Sequence, residues 1–344
     1  MPAGPDIHSL FQRLLEHPED DELYLVCADC LQQLEDPRGE LILVQHLLEQ
    51  TWSVDLFRAQ QALVERRQEL LPAELFGNRA LRAVAEWRLG FVRTLRVRDY
   101  TVPGVEPPDI VSAVARALEH PSMALLERLC FGSVAPGNFG HEDFGPLLEL
   151  LLSRKPRFLR SLSLGDFHFG RETRDGDEWG HLASAGAHGV NPWRLLRNWP
   201  GLEELSVETV RVTAGTLATP GPRWLRIATR RGCCADALDA ISSTTWPALE
   251  RLELFGIRWA TPDDALSSRH LEPLFSGEVT PALTHLGLGL VLSASQCEAL
   301  VASPLLRQLK TLDLAHTELR QGARGALEDS AALAKLERLI LPRR

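Results

Sequence analysis

One short pattern recurs from residue 92 to residue 341: an apolar residue, two free positions, a Leu, one free position and a second apolar residue. Strong copies are Leu126-x-x-Leu129-x-Phe131, Leu159-x-x-Leu162-x-Leu164, Leu202-x-x-Leu205-x-Val207 and Leu249-x-x-Leu252-x-Leu254. Leu283-x-x-Leu286-x-Leu288, Leu309-x-x-Leu312-x-Leu314 and Leu336-x-x-Leu339-x-Leu341 follow, and Val92-x-x-Leu95-x-Val97 and Pro222-x-x-Leu225-x-Ile227 are weaker. The central anchors are spaced by 34, 33, 43, 20, 27, 34, 26 and 27 residues. In a short strand, the two apolar residues of such a pattern point to one face and their neighbours to the other. No single unit can bury that face alone, whereas stacked units bury it against one another.

The segments between copies are long enough to return along the back of the stack. Pro108 to His120, Phe144 to Arg154, Ser293 to Leu305 and Gln321 to Leu336 carry a helical period. With helical returns and steps of 26–34 residues, the array resembles the ribonuclease-inhibitor type of leucine-rich repeat. The expected fold is therefore an α/β leucine-rich-repeat solenoid, irregular, with about nine repeats. The Asn that follows the strand in many such repeats is replaced by Phe167, Val210, Ile257, Val291 and Thr317, so the turns need another source of stability. The 20-residue step cannot hold a full helical return. The 43-residue step contains an insertion, about Gly165 to Pro200, rich in Gly, His, Trp and acids.

Residues 1–88 read differently, as a helical module that precedes the solenoid of residues 89–344. Ile7, Leu10, Phe11 and Leu14 recur at helical spacing, and His17-Pro18 ends that helix. Asp20 or Asp21 starts a second helix, with Leu23, Val26, Cys27, Cys30, Leu31 and Leu34 on one face. Pro37 suits the first position of a third helix, which carries Leu41, Val44, Leu47 and Leu48. Ser53 caps a fourth that runs to about Leu71. Pro18-Glu19-Asp20-Asp21, Cys27-Ala28-Asp29-Cys30-Leu31 and Asp36-Pro37-Arg38-Gly39-Glu40-Leu41-Ile42 with Gln45 resemble the bacterial repeat-companion domain. That helical module occurs in myxobacterial and planctomycete proteins, often beside leucine-rich repeats. The resemblance covers Phe11 to Gln50 and implies a module with no catalytic residues to carry over. Cys27 and Cys30 stand where the family pattern has Tyr and Trp, and Glu35 where it often has Gly. The module is expected to pack on the first repeat and cover its open edge.

Charge narrows the function classes. The net charge is −9, and residues 1–88 hold 16 Asp/Glu against 8 Arg. An acidic module repels phosphate backbones and anionic lipid, so neither nucleic acid nor membrane is expected as a partner. No run of 18 apolar residues occurs, the N-terminus lacks a secretory signature, and six Cys are scattered, which together point to the cytoplasm.

No catalytic signature is found: there is no G-x-S-x-G, no G-x-x-x-x-G-K-[ST] and no H-E-x-x-H. No enzyme activity, cofactor or metal is therefore expected. Cys27-x-x-Cys30 reads as two small core residues, because no second Cys pair has zinc spacing. Cys130 and Cys297 read as structural. His168, Glu172, Asp175, Asp177, Glu178, His181 and His188 in the insertion read as a polar loop, with a metal-dependent activity there as an alternative. The outward strand positions are better candidates. Arg96, Arg98 and Arg128 form a basic end of the concave face, and Glu204, Glu208, Trp224, Arg226, Arg251, Glu253 and Phe255 form a mixed centre. Gly287 and Gly289 leave a bare patch beside it. Exposed Trp, Phe and Arg on a rigid surface are the residue types of binding hot spots. The expected function is non-catalytic binding of a protein partner through this face, as an adaptor, sensor or specificity subunit. The alternative from another class is a GTPase-activating regulator acting through a rim Arg such as Arg171 or Arg174.

Overall fold

The computed structural model describes residues 7–65, 70–71, 73–77, 81–99, 109–132, 144–165, 192–209, 221–229, 234–256 and 268–342. The chain is mixed α/β, and its strands pair mostly in parallel. It divides into two compact units, residues 1–134 with 154–159, and residues 135–153 with 160–344. No helix among the described residues is long and apolar enough to cross a membrane.

The first unit opens with α1 (Ile7–Glu16), α2 (Asp21–Gln33), α3 (Pro37–Gln50) and α4 (Val54–Glu65). Each start has a local cause. Asp20 accepts from the N–H groups of Glu22 and Leu23 at 3.1 and 3.3 Å, and Asp36 from that of Arg38 at 2.9 Å. Pro37 takes the first turn of α3, where no N–H is needed. Between them α2 closes in a Schellman motif. The N–H of Glu35 donates to the Gln32 carbonyl at 3.0 Å and that of Asp36 to Leu31 at 2.8 Å, with Glu35 left-handed at φ 58°. Arg38 folds back on Asp36, Nη2 to Oδ2 at 2.6 Å, and lies over the Phe11 ring. Burial would raise the Asp36 pKa, but the bonds from Arg38 outweigh it and lower it. Two residues expected on the buried face of α2, Val26 and Leu34, are exposed, and Tyr24 and Ala28 are buried there instead.

The helical run ends before residue 88. Leu81–Arg88 is β1, paired antiparallel with β2 (Phe91–Asp99). Its start alternates strictly, Leu81 and Ala83 in, Arg82 and Val84 out, which is the period of a strand. The two-residue turn Leu89-Gly90 has φ values of 46° and 75°, the left-handed pair that a tight hairpin demands. Gly90 is needed twice over. Its N–H donates to Gln45 Oε1 at 2.8 Å, and a Cβ there would come within 2.5 Å of Ile42 Cγ1. Leu89 and Phe91 thus join Leu10, Leu14, Leu23, Tyr24, Cys27, Leu31, Ile42 and Leu125 in one buried cluster. The Tyr24 hydroxyl donates to the Pro18 carbonyl at 2.9 Å and accepts from Arg93 Nη2 at 2.7 Å. β2 pairs in parallel with β3 (Arg128–Gly132), Leu95 opposite Leu129 and Val97 opposite Phe131. The free edge of β2, expected to lie under the helices, is covered by β1.

Among the described residues, the main sheet of the second unit holds seven parallel strands. They are β4 (Ser161–Leu164), β5 (Glu204–Thr209), β6 (Trp224–Thr229), β7 (Arg251–Gly256), β8 (His285–Gly289), β10 (Thr311–Asp313) and β12 (Arg338–Ile340). Leu162, Leu205, Leu225, Leu252, Leu286, Leu312 and Leu339 stand opposite one another in register, and all but Leu339 are buried. A backbone lock repeats at the strand starts. The carbonyl of Arg160 accepts from Glu203 and Glu204, that of Glu203 from Arg223 and Trp224, and that of Arg223 from Glu250 and Arg251. Glu250 and Thr284 carbonyls continue the series to His285 and Thr311. The side chains at the same positions alternate in sign and pair: Arg160 with Glu203, Arg223 with Glu250, Lys310 with Glu337.

Helices return where helical periods were read, at Ile110–Glu119, Gly145–Arg154, Ala294–Ala302 and Ala323–Glu328. Three further helices cover the back: Pro192–Asn198, Cys234–Ser242 and Ser268–Phe275. The first corrects the expected insertion, because its last part is a return helix. Trp193, Leu195, Leu196 and Trp199 are buried, with the Trp193 ring 5.4 Å from that of Trp246 and tilted by 52° to it. Residues 166–191 lie outside the described residues. One turn shows what replaces the missing Asn. The Thr317 hydroxyl donates to the Leu288 carbonyl, and β9 (Val291–Leu292) and β11 (Glu318–Leu319) form a small second ladder beside it. Phe167, Val210 and Ile257 lie outside the described residues.

The left-handed Glu35 generates a first prediction. A residue with a Cβ costs about 1 kcal/mol in that conformation. Glu35→Gly is expected to raise the unfolding free energy by about that amount in urea titrations. An unchanged or lower stability would show that the motif carries no strain.

Candidate functional site

The face opposite the leucines is built by strand register. Across β5–β8, Glu204, Trp224, Arg251 and His285 form one row, and Ser206, Arg226, Glu253 and Gly287 the next. Ala228, Phe255 and Gly289 follow, with Glu208 at the head of that row. The strands bring together five of the expected residues: Trp224, Arg226, Arg251, Glu253 and Phe255.

Glu253 is the hub. It is only 4% exposed. Arg251 Nε donates to Glu253 Oε1 at 2.8 Å, and Arg251 Nη2 bonds the same oxygen. Arg226 Nη1 lies 3.4 Å from Oε2, and His285 Nε2 lies 3.5 Å from Oε1. Burial alone would raise the pKa of the carboxyl. The neighbouring His285 imidazole, the charge of Arg226, and the bonds and charge of Arg251 outweigh that and lower it to about 2.

Each arginine also covers a ring. The Arg226 guanidinium is 4.8 Å from the Phe255 centroid, and that of Arg251 is 4.9 Å from the Trp224 ring. These are cation–π distances. The edge of His316 meets Phe255 at 5.6 Å between centroids. The glycines of β8 make room for this. A Cβ on Gly287 would come within 3.1 Å of Glu253 Cγ, and one on Gly289 would overlap the Phe255 ring. The bare patch expected at Gly287 and Gly289 is therefore filled by side chains from β7. The open mixed surface expected at the centre is likewise corrected: Arg226 and Glu253 are buried, Trp224 and Phe255 half-buried.

The other expected residues have separate surroundings. Glu204 stands beside Trp224 in register, and the side chain of Glu208 lies outside the described residues. In the first unit, Arg96 pairs with Glu86 at 2.8 Å and Arg128 is exposed at the start of β3. Arg98 stands opposite Gly132, and its side chain lies outside the described residues. Arg171, Arg174 and the polar residues His168, Glu172, Asp175, Asp177, Glu178, His181 and His188 all lie outside the described residues. Among the described residues no group of His, Cys, Asp and Glu could hold a metal ion. Cys27 and Cys297 are buried free thiols, and burial pushes each up to about 11, so little thiolate is present at neutral pH.

Four further residues join the site: His285, Ser163 and Ser206, which the repeat places at outward strand positions but which were not among the candidate binding residues, and His316. His285 occupies the strand position that Arg251 holds on β7, so its register was available as a signal. His316 lies in a turn beyond β10 and gave none. Ser163 and Ser206 bury their hydroxyls in the same row as Arg226, with no hydrogen-bond partner among the described residues.

No family model and no curated protein matches the chain. A solved structure of a protein from Bacteroides fragilis aligns with 83% of this chain and 82% of its own at 16% identity, with a TM-score of 0.47. A likeness of that size carries no argument about fold or function.

Two predictions follow from the hub. The folded pKa of Glu253 lies below its ordinary value of 4.5, so its stabilisation is complete above that pH and is lost as the pH falls toward about 2. The shift corresponds to about 3 kcal/mol at neutral pH. In unfolding titrations, the gap between wild type and Glu253→Gln should shrink steadily across that window; a constant gap would exclude the charge as the cause. Gly289→Ala should displace Phe255 and cost about 1–3 kcal/mol, whereas Gly201→Ala, with open space at its Cβ, should cost far less.

Proposed function

We propose that the chain is an irregular, ribonuclease-inhibitor-like leucine-rich-repeat solenoid with a repeat-companion module at its N-terminus. It acts as a cytoplasmic, non-catalytic protein-binding component: an adaptor, sensor or specificity subunit. The binding face is the strand face around Trp224 and Phe255. The observation that supports this is the pair of aromatic rings, each held under an arginine whose other contact is a buried carboxylate. Trp and Arg are the commonest hot-spot residues, and fixing their rotamers before binding removes part of the ordering entropy. The half-buried rings leave an apolar surface, and the flanking Glu204 and His285 give it a polar rim. The in-register leucines support the repeat assignment by placing this face opposite a continuous core.

The test is affinity capture from the native cytosol with the full chain. Wild type is compared with Trp224→Ala/Phe255→Ala and with Lys335→Ala, a control at an exposed position ahead of β12. Each ring should carry more than about 1 kcal/mol of binding, so the double variant should lose its partner by tenfold or more while the control retains it. Circular dichroism checks that the double variant is folded. A partner held equally by a folded double variant would refute the strand-face reading.

A further inference from the structure

The four N-terminal helices present an outward surface that their packing does not use. Eight large apolar side chains are exposed among the described residues, and six of them lie between Val26 and Phe57. Leu47, Trp52, Val54 and Phe57 fall on the last turn of α3, the link after it and the first turn of α4. Trp52 is 72% exposed. Val54 and Phe57, three residues apart, share one side of α4. Large apolar side chains left in water close together along the chain are what a contact surface is built from.

Charge selects the occupant. Residues 7–65 contain twelve Asp and Glu but three Arg. Arg38 is buried against Asp36, and Arg58 reaches Asp55 at 3.7 Å. Arg88 of β1 adds a bond to Glu49 at 2.9 Å and longer approaches to Asp21 and Glu19. The helical module as a whole keeps a large acidic excess. That field repels nucleic acid and anionic lipid, and equally a second copy of the same acidic surface. A cationic amphipathic helix satisfies both features: its apolar stripe meets Leu47, Trp52, Val54 and Phe57, and its Lys and Arg are drawn by the acidic field of the module. We propose that the α3–α4 surface is a docking site for a basic amphipathic helix of a partner protein. This site is independent of the strand face around Glu253.

The probe is a fluorescein-labelled peptide of about 18 residues built from Leu and Lys, with Leu at helical i, i+3, i+4, i+7 spacing. Binding to the full chain is read by anisotropy at about 0.1 M salt. The comparison peptides are a scrambled Leu/Lys sequence of the same composition and a Leu/Glu version. The comparison proteins are Trp52→Ala/Phe57→Ala, which alters only exposed or partly exposed positions, and Leu339→Ala, an exposed apolar residue of β12. The amphipathic Leu/Lys peptide should bind wild type and Leu339→Ala alike, at least tenfold more tightly than it binds the double variant. The scrambled and Leu/Glu peptides should bind at least tenfold more weakly to wild type. Equal binding by the double variant, equal binding of the scrambled peptide, or no binding of the amphipathic one would each overturn the proposal. So would a dimer in sedimentation that the double variant abolishes, because the surface would then be occupied by a second copy.

Discussion

A single backbone device sets the frame of the second unit. At each strand start, one carbonyl accepts the N–H groups of two consecutive residues from the next strand, from Arg160 onward to Thr284. Such a three-centre bond ties the register of a strand to that of its predecessor before any side chain is considered. A slip of one residue would turn every leucine to the wrong face, so the lock and the core burial reinforce each other. This accounts for in-register anchors despite sequence steps that range from 20 to 43 residues. The return segments vary in length, but each strand begins against the same acceptor. The alternating charges at these positions contribute little each, about 0–1 kcal/mol as exposed pairs. Their sign pattern still disfavours a misplaced neighbour, since like charges would then meet.

Within that frame, the Glu253 network is an arrangement that stability alone does not explain. Removing a carboxylate and a guanidinium from water costs several kcal/mol, which their attraction offsets only when the geometry is good. Here the carboxylate meets two arginines and a histidine, enough to hold it ionised at a pKa of about 2. The gain is positional. Arg226 and Arg251 are the longest side chains of the cluster, and without Glu253 each would sample many rotamers. Held by Glu253, they lie on Phe255 and Trp224. Gly287 and Gly289 belong to the same arrangement, because a Cβ at Gly289 would overlap the Phe255 ring and one at Gly287 would press on Glu253 Cγ.

Strand positions were legible in the sequence because a strand with one buried face needs only the period of two and an apolar pair. Helical returns were legible where Leu and Ala recur over three turns, as in Ile110–Glu119. They were missed in Pro192–Asn198, whose seven residues span two turns, too few for periodicity to be recognised. β1 was missed for a related reason: Ala83 and Ala85 alternate with Arg82, Val84 and Glu86, and Ala is weakly apolar and a strong helix former. The site was legible as a set of positions, since register follows from the repeat. Its burial was not, because the long side chains of Glu253 and Phe255 lean over β8, and that direction depends on neighbours that the strand pattern does not specify.

The helical module shows why a specific motif can fail to name an activity. Pro37 starts α3, Arg38 closes the ion pair with Asp36, and Gln45 holds the hairpin turn through Gly90. Gly39 lets the two helices touch, since a Cβ there would come within 2.7 Å of the Ala28 carbonyl. All four motif residues are used by folding: they join helices to the first strands, and a module so joined shields the core of the unit it begins. Residues that recognise a partner must therefore lie at positions the motif leaves free. Trp52 and Phe57 are such positions, outside the patterned stretch and exposed. The structural part of the module is thus read from its motif, and its binding part from the apolar residues that folding leaves in water.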